Sequence, residues 1–107
     1  NAIPKLLSPA ETVAALEARG TTHWGGEPGQ RIVWRWWGEG PALLLLHGGS
    51  GSWTHWFRNI PDLARDHRVI APDLPGLGES DYDPGLTTTE IVAQRVARDL
   101  PDILGGA

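Results

Sequence analysis

The sequence predicts a single α/β domain, with a mostly parallel sheet flanked by helices. Short apolar runs of the kind that form buried strands alternate with amphipathic segments that carry helix start signals. Two glycine-rich loops each follow one of the apolar runs and are separated by the length of one helix. With 107 residues, 40% of them apolar and 21% charged, the chain suits one globular domain with a small core.

The first three elements are a helix and two strands. The sequence Ser-Pro-Ala-Glu, which starts at Ser8, is a capping box and predicts a helix over about residues 9–19. Alternating apolar residues predict a half-buried strand over about 31–37. The run over about 42–46 is apolar at every position, which is typical of a central strand covered on both faces.

The remaining elements are a helix, a strand and a long helix. Bulky apolar residues recur with helical spacing over about 53–60 and predict an amphipathic helix that ends at Pro61. A short apolar run over about 67–71 predicts a third strand. A second capping signal, followed by apolar residues on one face, predicts a helix over about 88–104.

Composition excludes several classes of function. The net charge is −4 and the basic residues are scattered, which argues against nucleic acid or an anionic membrane as a partner. The chain has no cysteine, and its four histidines share no metal-ligand spacing, so we expect no disulfide, no metal and no cofactor. These features and the lack of a long apolar run lead us to expect a cytoplasmic protein. Because the first residue is Asn1, we expect that the chain was cut from a longer one.

The glycine-rich tract Gly48–Ser52 admits several interpretations. A flexible linker is a poor one, because the tract lies directly between a strand and a predicted helix. A small nucleotide- or phosphate-binding module remains an alternative, although the Lys-Ser/Thr ending of a P-loop and the G-x-G-x-x-G spacing are absent. The tract also comes within one residue of a G-x-S-x-G nucleophile elbow, but position 52 is serine.

Taken with the second glycine-rich loop, the tract resembles the α/β-hydrolase superfamily. In that family one strand ends in His-Gly-x and the next ends in Asp-x-x-Gly-x-Gly-x-Ser. The matching residues here are His47, Gly48 and Gly49 in the first motif, and Asp73, Gly76, Gly78 and Ser80 in the second. The resemblance extends from about residue 30 to the C-terminus.

The resemblance implies a role for each motif. Gly49, with Ser50 as its neighbour, is expected to form the oxyanion hole, in which a backbone N–H stabilises the charge on the substrate carbonyl. Glycine suits this position if the chain turns sharply and approaches a ligand closely. His47 and Asp73 are expected to hold the loops by hydrogen bonds. Trp53 is a candidate for the substrate pocket, although its helical spacing favours the core.

The resemblance also implies that this chain is the N-terminal segment of a hydrolase. The family's nucleophile strand follows the helix that matches 88–104, so nucleophile, acid and base would lie outside the chain, which we expect to be inactive alone. A polar residue after His-Gly would indicate haloalkane dehalogenases, and Gly49 is not polar. Ser50 replaces the proline favoured by epoxide hydrolases. A serine hydrolase acting on an ester, lactone or C–C bond remains.

The expected partners are a small-molecule substrate and either the remainder of the hydrolase chain or a self-associating copy. A non-catalytic interaction domain with the same fold is a further alternative to the enzyme.

Overall fold

The computed structural model describes residues 8–49 and 51–105. It confirms the α/β class. The elements in chain order are α1 (Pro9–Arg19), β1 (Thr21–Gly25), β2 (Ile32–Trp37), β3 (Ala42–Leu44), a short 3₁₀ helix (Trp53–Trp56), α2 (Ile60–Leu63), β4 (Arg68–Pro72) and α3 (Thr89–Gly105).

The sheet is mixed, which corrects the prediction of a mostly parallel one. Its strand order is β1-β2-β4-β3, and of its three strand pairs only β3 with β4 is parallel. The connections explain this result. A parallel pair needs a long crossover, and the helical segment between β3 and β4 supplies one, whereas β1 and β2 are joined by a short turn that reverses the chain.

Strand β1 was not predicted. Its first four residues are exposed, and only Gly25 is buried, so it has no alternation of apolar and polar residues. The strand forms because its backbone pairs with β2 in an antiparallel register from Thr21 opposite Trp36 to Gly25 opposite Ile32. Pairing at a sheet edge leaves no hydrophobic pattern in the sequence.

Strand β2 is buried on both faces rather than half-buried as predicted. Five of its six residues are buried, and only Trp36 is intermediate. The polar residue of the strand, Arg35, is 6% exposed and is held by acidic partners described below. The strand lies between β1 and β4, with a helix layer on each side.

Strand β3 is shorter and less buried than the predicted strand over 42–46. It ends at Leu44, although the Leu45 N–H still donates to the Ile70 carbonyl at 2.9 Å. Ala42 is exposed, Leu43 and Leu44 are half-buried, and Leu46 is 47% exposed. The reason is that β3 occupies the edge of the described sheet, so its apolar residues have neighbours on one side only.

The single helix predicted over 53–60 is two separate turns. The 3₁₀ helix and α2 are joined by a turn, and Pro61 lies in the first turn of α2 instead of ending a helix. Proline has no N–H and fits a first helical turn, whereas the interior of a continuous helix would lose a hydrogen bond there. The apolar side chains of the segment still pack into one cluster on the sheet.

Two apolar clusters cover the two faces of the sheet. The first lies under α1, the 3₁₀ helix and α2, and its buried members are Leu16, Trp37, Trp53, Ile60, Val69 and Ala71. The second lies under α3, and its buried members are Ile32, Trp34, Ile70, Val96 and Ile103. Strands β2 and β4 contribute to both, which places the core around the middle of the sheet.

A buried hydrogen bond fixes α3 against the sheet. The Trp34 indole N–H donates to Asp99 Oδ2 at 2.9 Å, and the Arg98 Nε donates to the other oxygen of the same carboxylate at 2.9 Å. A Cβ on Gly25 would overlap the Asp99 carboxylate, so β1 approaches α3 closely at this point. The carboxylate is therefore enclosed by α3, β2 and β1.

We expect Trp34→Phe to lower the free energy of unfolding of the full-length protein by about 2–4 kcal/mol. The change leaves a cavity and removes a donor from a buried carboxylate. Trp24→Phe is the matched control, because Trp24 is 43% exposed, and it should change the stability by less than about 1 kcal/mol. Equal urea midpoints for the two variants would contradict the role of the Trp34–Asp99 bond.

Candidate functional site

The two glycine-rich loops meet where the parallel strands β3 and β4 end, and His47 joins them. Its Nε2 accepts the Leu74 N–H at 2.9 Å, so the ring proton is on Nδ1, which donates to the Gly48 carbonyl at 2.6 Å. The ring is 5% exposed. Both ring nitrogens are therefore used in holding the loops together.

Gly48 and Gly49 lie exposed at the start of the first loop. Neither has a positive φ, and a Cβ built on either would have no atom of the described residues within 4 Å. Position 49 therefore lacks the left-handed backbone that would require glycine for the expected sharp turn. The space in front of Gly49 is open for a ligand. Ser50 lies outside the described residues.

Asp73 is the centre of the second loop. Its carboxylate is 1% exposed and accepts three hydrogen bonds: from the Trp53 N–H at 2.7 Å, the Glu79 N–H at 2.9 Å and Arg35 Nη1 at 3.3 Å. Arg35 also pairs with the Glu79 carboxylate. One buried side chain thus connects β2, the end of β4, the 3₁₀ helix and the second loop.

The remaining residues of the second motif shape the same loop. The Ser80 hydroxyl donates to the Asp73 carbonyl at 2.5 Å and accepts the Val33 N–H at 3.0 Å, so it joins β2 to the loop. Gly76 and Gly78 have φ of +81° and +54°, a region that favours glycine, and a Cβ on Gly78 would overlap the Asp73 carboxylate. Every residue of the second motif therefore makes a contact within the protein that accounts for its residue type.

A groove of about 510 Å³ opens between the two loops and the start of α3. Its lining is mainly apolar and includes one residue of the first loop. The lining residues are Gly49, Leu74, Pro75, Gly76, Leu77, Tyr82, Leu86, Thr87, Thr88, Thr89 and Val92.

Trp53, the candidate pocket residue, does not line this groove. Its ring is 2% exposed and lies 5.2 Å from that of Trp37, in the core cluster under α1. The helical spacing that favoured a place in the core was the better guide to this residue.

Sequence analysis missed two carboxylates beside the groove. Asp81 accepts the N–H groups of Gly29 and Arg31 at 3.0 and 2.9 Å, and Arg31 Nε at 3.1 Å. The Arg31 backbone N–H is the main reason that the pKa of Asp81 lies below its ordinary value. These hydrogen bonds join residues about 50 positions apart, so they leave no local pattern in the sequence. The one local signal that could have drawn attention to this segment is the Asp-Tyr-Asp sequence after Ser80.

Asp83 is held in a similar way on the other side of Tyr82. It accepts the Gly85 N–H at 3.0 Å and Arg95 Nη2 at 2.6 Å, and the pKa of its carboxyl is lowered first by the Gly85 bond and then by Arg95. The Asp83-Pro84-Gly85 sequence is a turn signal that could have indicated this contact.

The described residues contain no assembled catalytic triad. Within 8–49 and 51–105, no histidine ring is hydrogen-bonded to a carboxylate or to a hydroxyl group. The same ranges hold no cluster of three or more potential metal ligands. No helix in this part of the chain is both long and apolar enough to cross a membrane.

Comparison with known proteins gives a family match over most of the chain. A family model described as the alpha/beta hydrolase fold matches residues 41–104. The chain is 39% identical over 72 residues to 2-hydroxy-6-oxo-6-phenylhexa-2,4-dienoate hydrolase of Burkholderia cepacia, a match covering 64% of this chain and 25% of that protein. It is 54% identical over 44 residues to a soluble epoxide hydrolase of Corynebacterium sp. (strain C12), covering 41% of this chain and 15% of that protein.

Solved structures agree with the family match. The epoxide hydrolase CorEH matches with a TM-score of 0.71 at 40% identity, covering 80% of this chain and 30% of that one. The Cif epoxide hydrolase from Acinetobacter nosocomialis matches with a TM-score of 0.72 over 100% of this chain and 38% of that one, and at 20% identity it supports the fold alone. The chain spans about a quarter of the length of the first curated relative.

We expect Asp73→Asn to destabilise the full-length protein by about 3–5 kcal/mol, because it breaks a buried ion pair and places an amide among three donors. Urea unfolding measures the effect. Asp66→Asn is the matched control, since Asp66 is exposed, and should stay within about 0.5 kcal/mol of the wild type. A mild effect at Asp73 would contradict its role as the centre of the loop.

Asp81 gives a pH-dependent prediction. Because its folded-state pKa lies below the ordinary value, ionised Asp81 stabilises the fold above that ordinary value, and the contribution disappears as the pH falls through the lowered pKa. The stability difference between wild type and Asp81→Asn should therefore be constant near neutral pH and shrink below about pH 4. Unfolding midpoints measured across that range test this. A difference that stays at its neutral-pH size down to about pH 2 would contradict it.

Proposed function

Because the chain belongs to the α/β-hydrolase family, we propose that it forms the N-terminal segment of a serine-type hydrolase and that the Gly49 backbone N–H is part of the oxyanion hole. Ser50, the neighbour of Gly49, is included in this proposal as a second residue of the oxyanion loop. The family match favours this function over a nucleotide-binding module or a non-catalytic interaction domain.

The observation that carries the proposal is the position of Gly49 on the wall of the groove. The residue is exposed, and its surroundings leave open the space that a side chain would fill. His47, two residues before Gly49, is fixed by a hydrogen bond at each ring nitrogen, so the loop is held in place before a ligand arrives. Donors held in this way stabilise the oxyanion of a tetrahedral intermediate without reorganisation.

The proposed substrate is a small molecule with a carbonyl group and an apolar substituent. Leucine, proline and valine side chains dominate the groove that Gly49 borders, which suits an apolar acyl or alkyl group. The reaction is hydrolysis of an ester, a lactone or a C–C bond next to a carbonyl. Each of these passes through an intermediate with charge on the former carbonyl oxygen, which is the charge that an oxyanion hole binds.

Epoxide hydrolysis is the second candidate, and epoxide hydrolases among the similar proteins support it. Ser50 stands where epoxide hydrolases favour proline, which argues against that class, but a soluble epoxide hydrolase is 54% identical to the chain over 44 residues. The two candidates differ in the nucleophile. A serine nucleophile forms a stable adduct with a phosphonate, whereas a carboxylate nucleophile forms an ester with the opened epoxide.

The proposal requires a nucleophile, an acid and a base from outside the described residues. We therefore also propose that this chain alone is inactive.

We assign the free edge of β3 to a strand from the remainder of the hydrolase chain. Arg68, at the start of β4, donates to the Ile103 carbonyl at 2.9 Å, so α3 ends near the end of the sheet at which the parallel strands β3 and β4 begin, and a further parallel strand would begin at the same end. Apolar residues beside β3, including Leu46 and Leu100, line a groove of about 420 Å³ that such a strand would cover.

In the full-length protein, Gly49→Val should lower kcat about 100-fold, with a much smaller effect on KM, because the branched side chain displaces the donor N–H and crowds the carbonyl. Gly48→Val is the matched control: a Cβ at Gly48 also meets no atom within 4 Å, but Gly48 does not line the groove. Both variants should keep wild-type stability, so a loss of activity at Gly49 alone reports on the reaction. Equal kcat for Gly49→Val and wild type would refute the assignment.

Labelling of Ser50→Ala with a fluorophosphonate completes the experiment. Labelling equal to that of the wild type shows a serine nucleophile at another position, as proposed. Loss of labelling makes Ser50 itself the nucleophile, and the absence of labelling in the wild type favours the epoxide hydrolase candidate.

A further inference from the structure

An exposed aromatic side chain stands between the two anchored carboxylates beside the groove. Tyr82 is 73% exposed and is one of the residues that line the groove. Its neighbours in sequence, Asp81 and Asp83, are each held by hydrogen bonds to other parts of the chain. Tyr82 is therefore exposed on a segment that is anchored on both sides of the residue.

The anchors hold the segment from two directions. The Asp81 carboxylate binds the turn that precedes β2, and the Asp81 carbonyl accepts the Gly76 N–H at 3.0 Å. On the other side, the Asp83–Arg95 ion pair binds the segment to α3, and both of its side chains are 18% exposed. The backbone on each side of Tyr82 is thus fixed to a different element.

The Tyr82 ring lies beside Gly76, which also lines the groove. A Cβ on Gly76 would be 3.5 Å from Tyr82 Cδ1 and 3.3 Å from Leu86 Cδ1, so both side chains lie close to the positive-φ turn at Gly76. The phenol oxygen makes no hydrogen bond to any of the residues in 8–49 and 51–105. The ring therefore offers the groove a flat apolar face and an unused hydroxyl group.

We propose that Tyr82 is a specificity-determining residue that selects substrates with an aromatic group on the carbonyl side of the scissile bond. This inference rests on the proposed function, since Gly49 lines the same groove and would hold the carbonyl. A flat aromatic group gains both apolar contact and ring–ring attraction against a tyrosine, whereas an alkyl group gains the apolar contact alone. The Arg95–Asp83 pair positions the ring.

The test compares two nitrophenyl esters in the full-length protein, a phenylacetate and a hexanoate, which share the leaving group and differ in the acyl group. Tyr82→Leu should lower kcat/KM for the phenylacetate about 3- to 10-fold relative to the hexanoate, through KM rather than kcat. Tyr82→Phe keeps the ring and should retain the wild-type preference. Arg95→Gln releases Asp83 and should lower the preference in the same direction as Tyr82→Leu.

Calorimetric titration with phenylacetate and hexanoate ions gives a readout that needs no turnover. Tyr82→Leu should weaken binding of phenylacetate about 3- to 10-fold and leave hexanoate unchanged. If the wild type hydrolyses neither ester, the esterase form of the proposed function fails, and the titration still decides the role of Tyr82.

Equal losses for both ligands would overturn the inference. It would also fail if Tyr82→Leu lowered the stability and left the preference intact, because Tyr82 would then be packing against another part of the protein. Absence of phenylacetate binding to the wild type would also overturn the inference, while ester turnover alone decides the esterase form of the proposed function.

Discussion

The arrangement of the site depends on one buried carboxylate, that of Asp73. It accepts hydrogen bonds from two backbone N–H groups and one guanidinium, and these donors belong to three separate segments of the chain. A charge with so little contact with water is tolerable only when its oxygens are paired, as they are here. The pairing fixes where the 3₁₀ helix starts and how the second loop leaves the sheet, and the second loop borders the groove.

Most of the residues that mark the family motifs make contacts that hold this structure together. His47 uses both ring nitrogens on the backbone, Ser80 bridges β2 and the second loop, and Gly78 makes room for the Asp73 carboxylate. Gly49 differs from them, because no contact within the described residues explains why it is glycine. A residue that the fold does not need, on the wall of an apolar groove, is the natural place for contact with a substrate.

The two sides of the groove are held by different kinds of interaction. The inner side is fixed by the buried bonds of Asp73 and His47, while the outer side is fixed by the more exposed carboxylates of Asp81 and Asp83. Exposed pairs are screened by water and are weaker than buried ones. The loop proposed to form the oxyanion hole is therefore on the more firmly held side of the groove, and the side proposed to meet the variable part of a substrate has the weaker anchors.

The sequence by itself determined the α/β class, the capped start of α1, the three apolar strands and the two loops that meet at the site. These features have local signatures: a capping box, an apolar run, or glycines at fixed spacing. The tertiary structure decided the edge strand β1, the mixed sheet, the two turns in place of one helix, and the partners of Arg35 and Asp99. Those features arise from contacts such as Trp34–Asp99, which joins residues 65 positions apart. Hydrophobic periodicity reports how a residue is buried in its own segment, and it contains no information on which distant donor meets which acceptor.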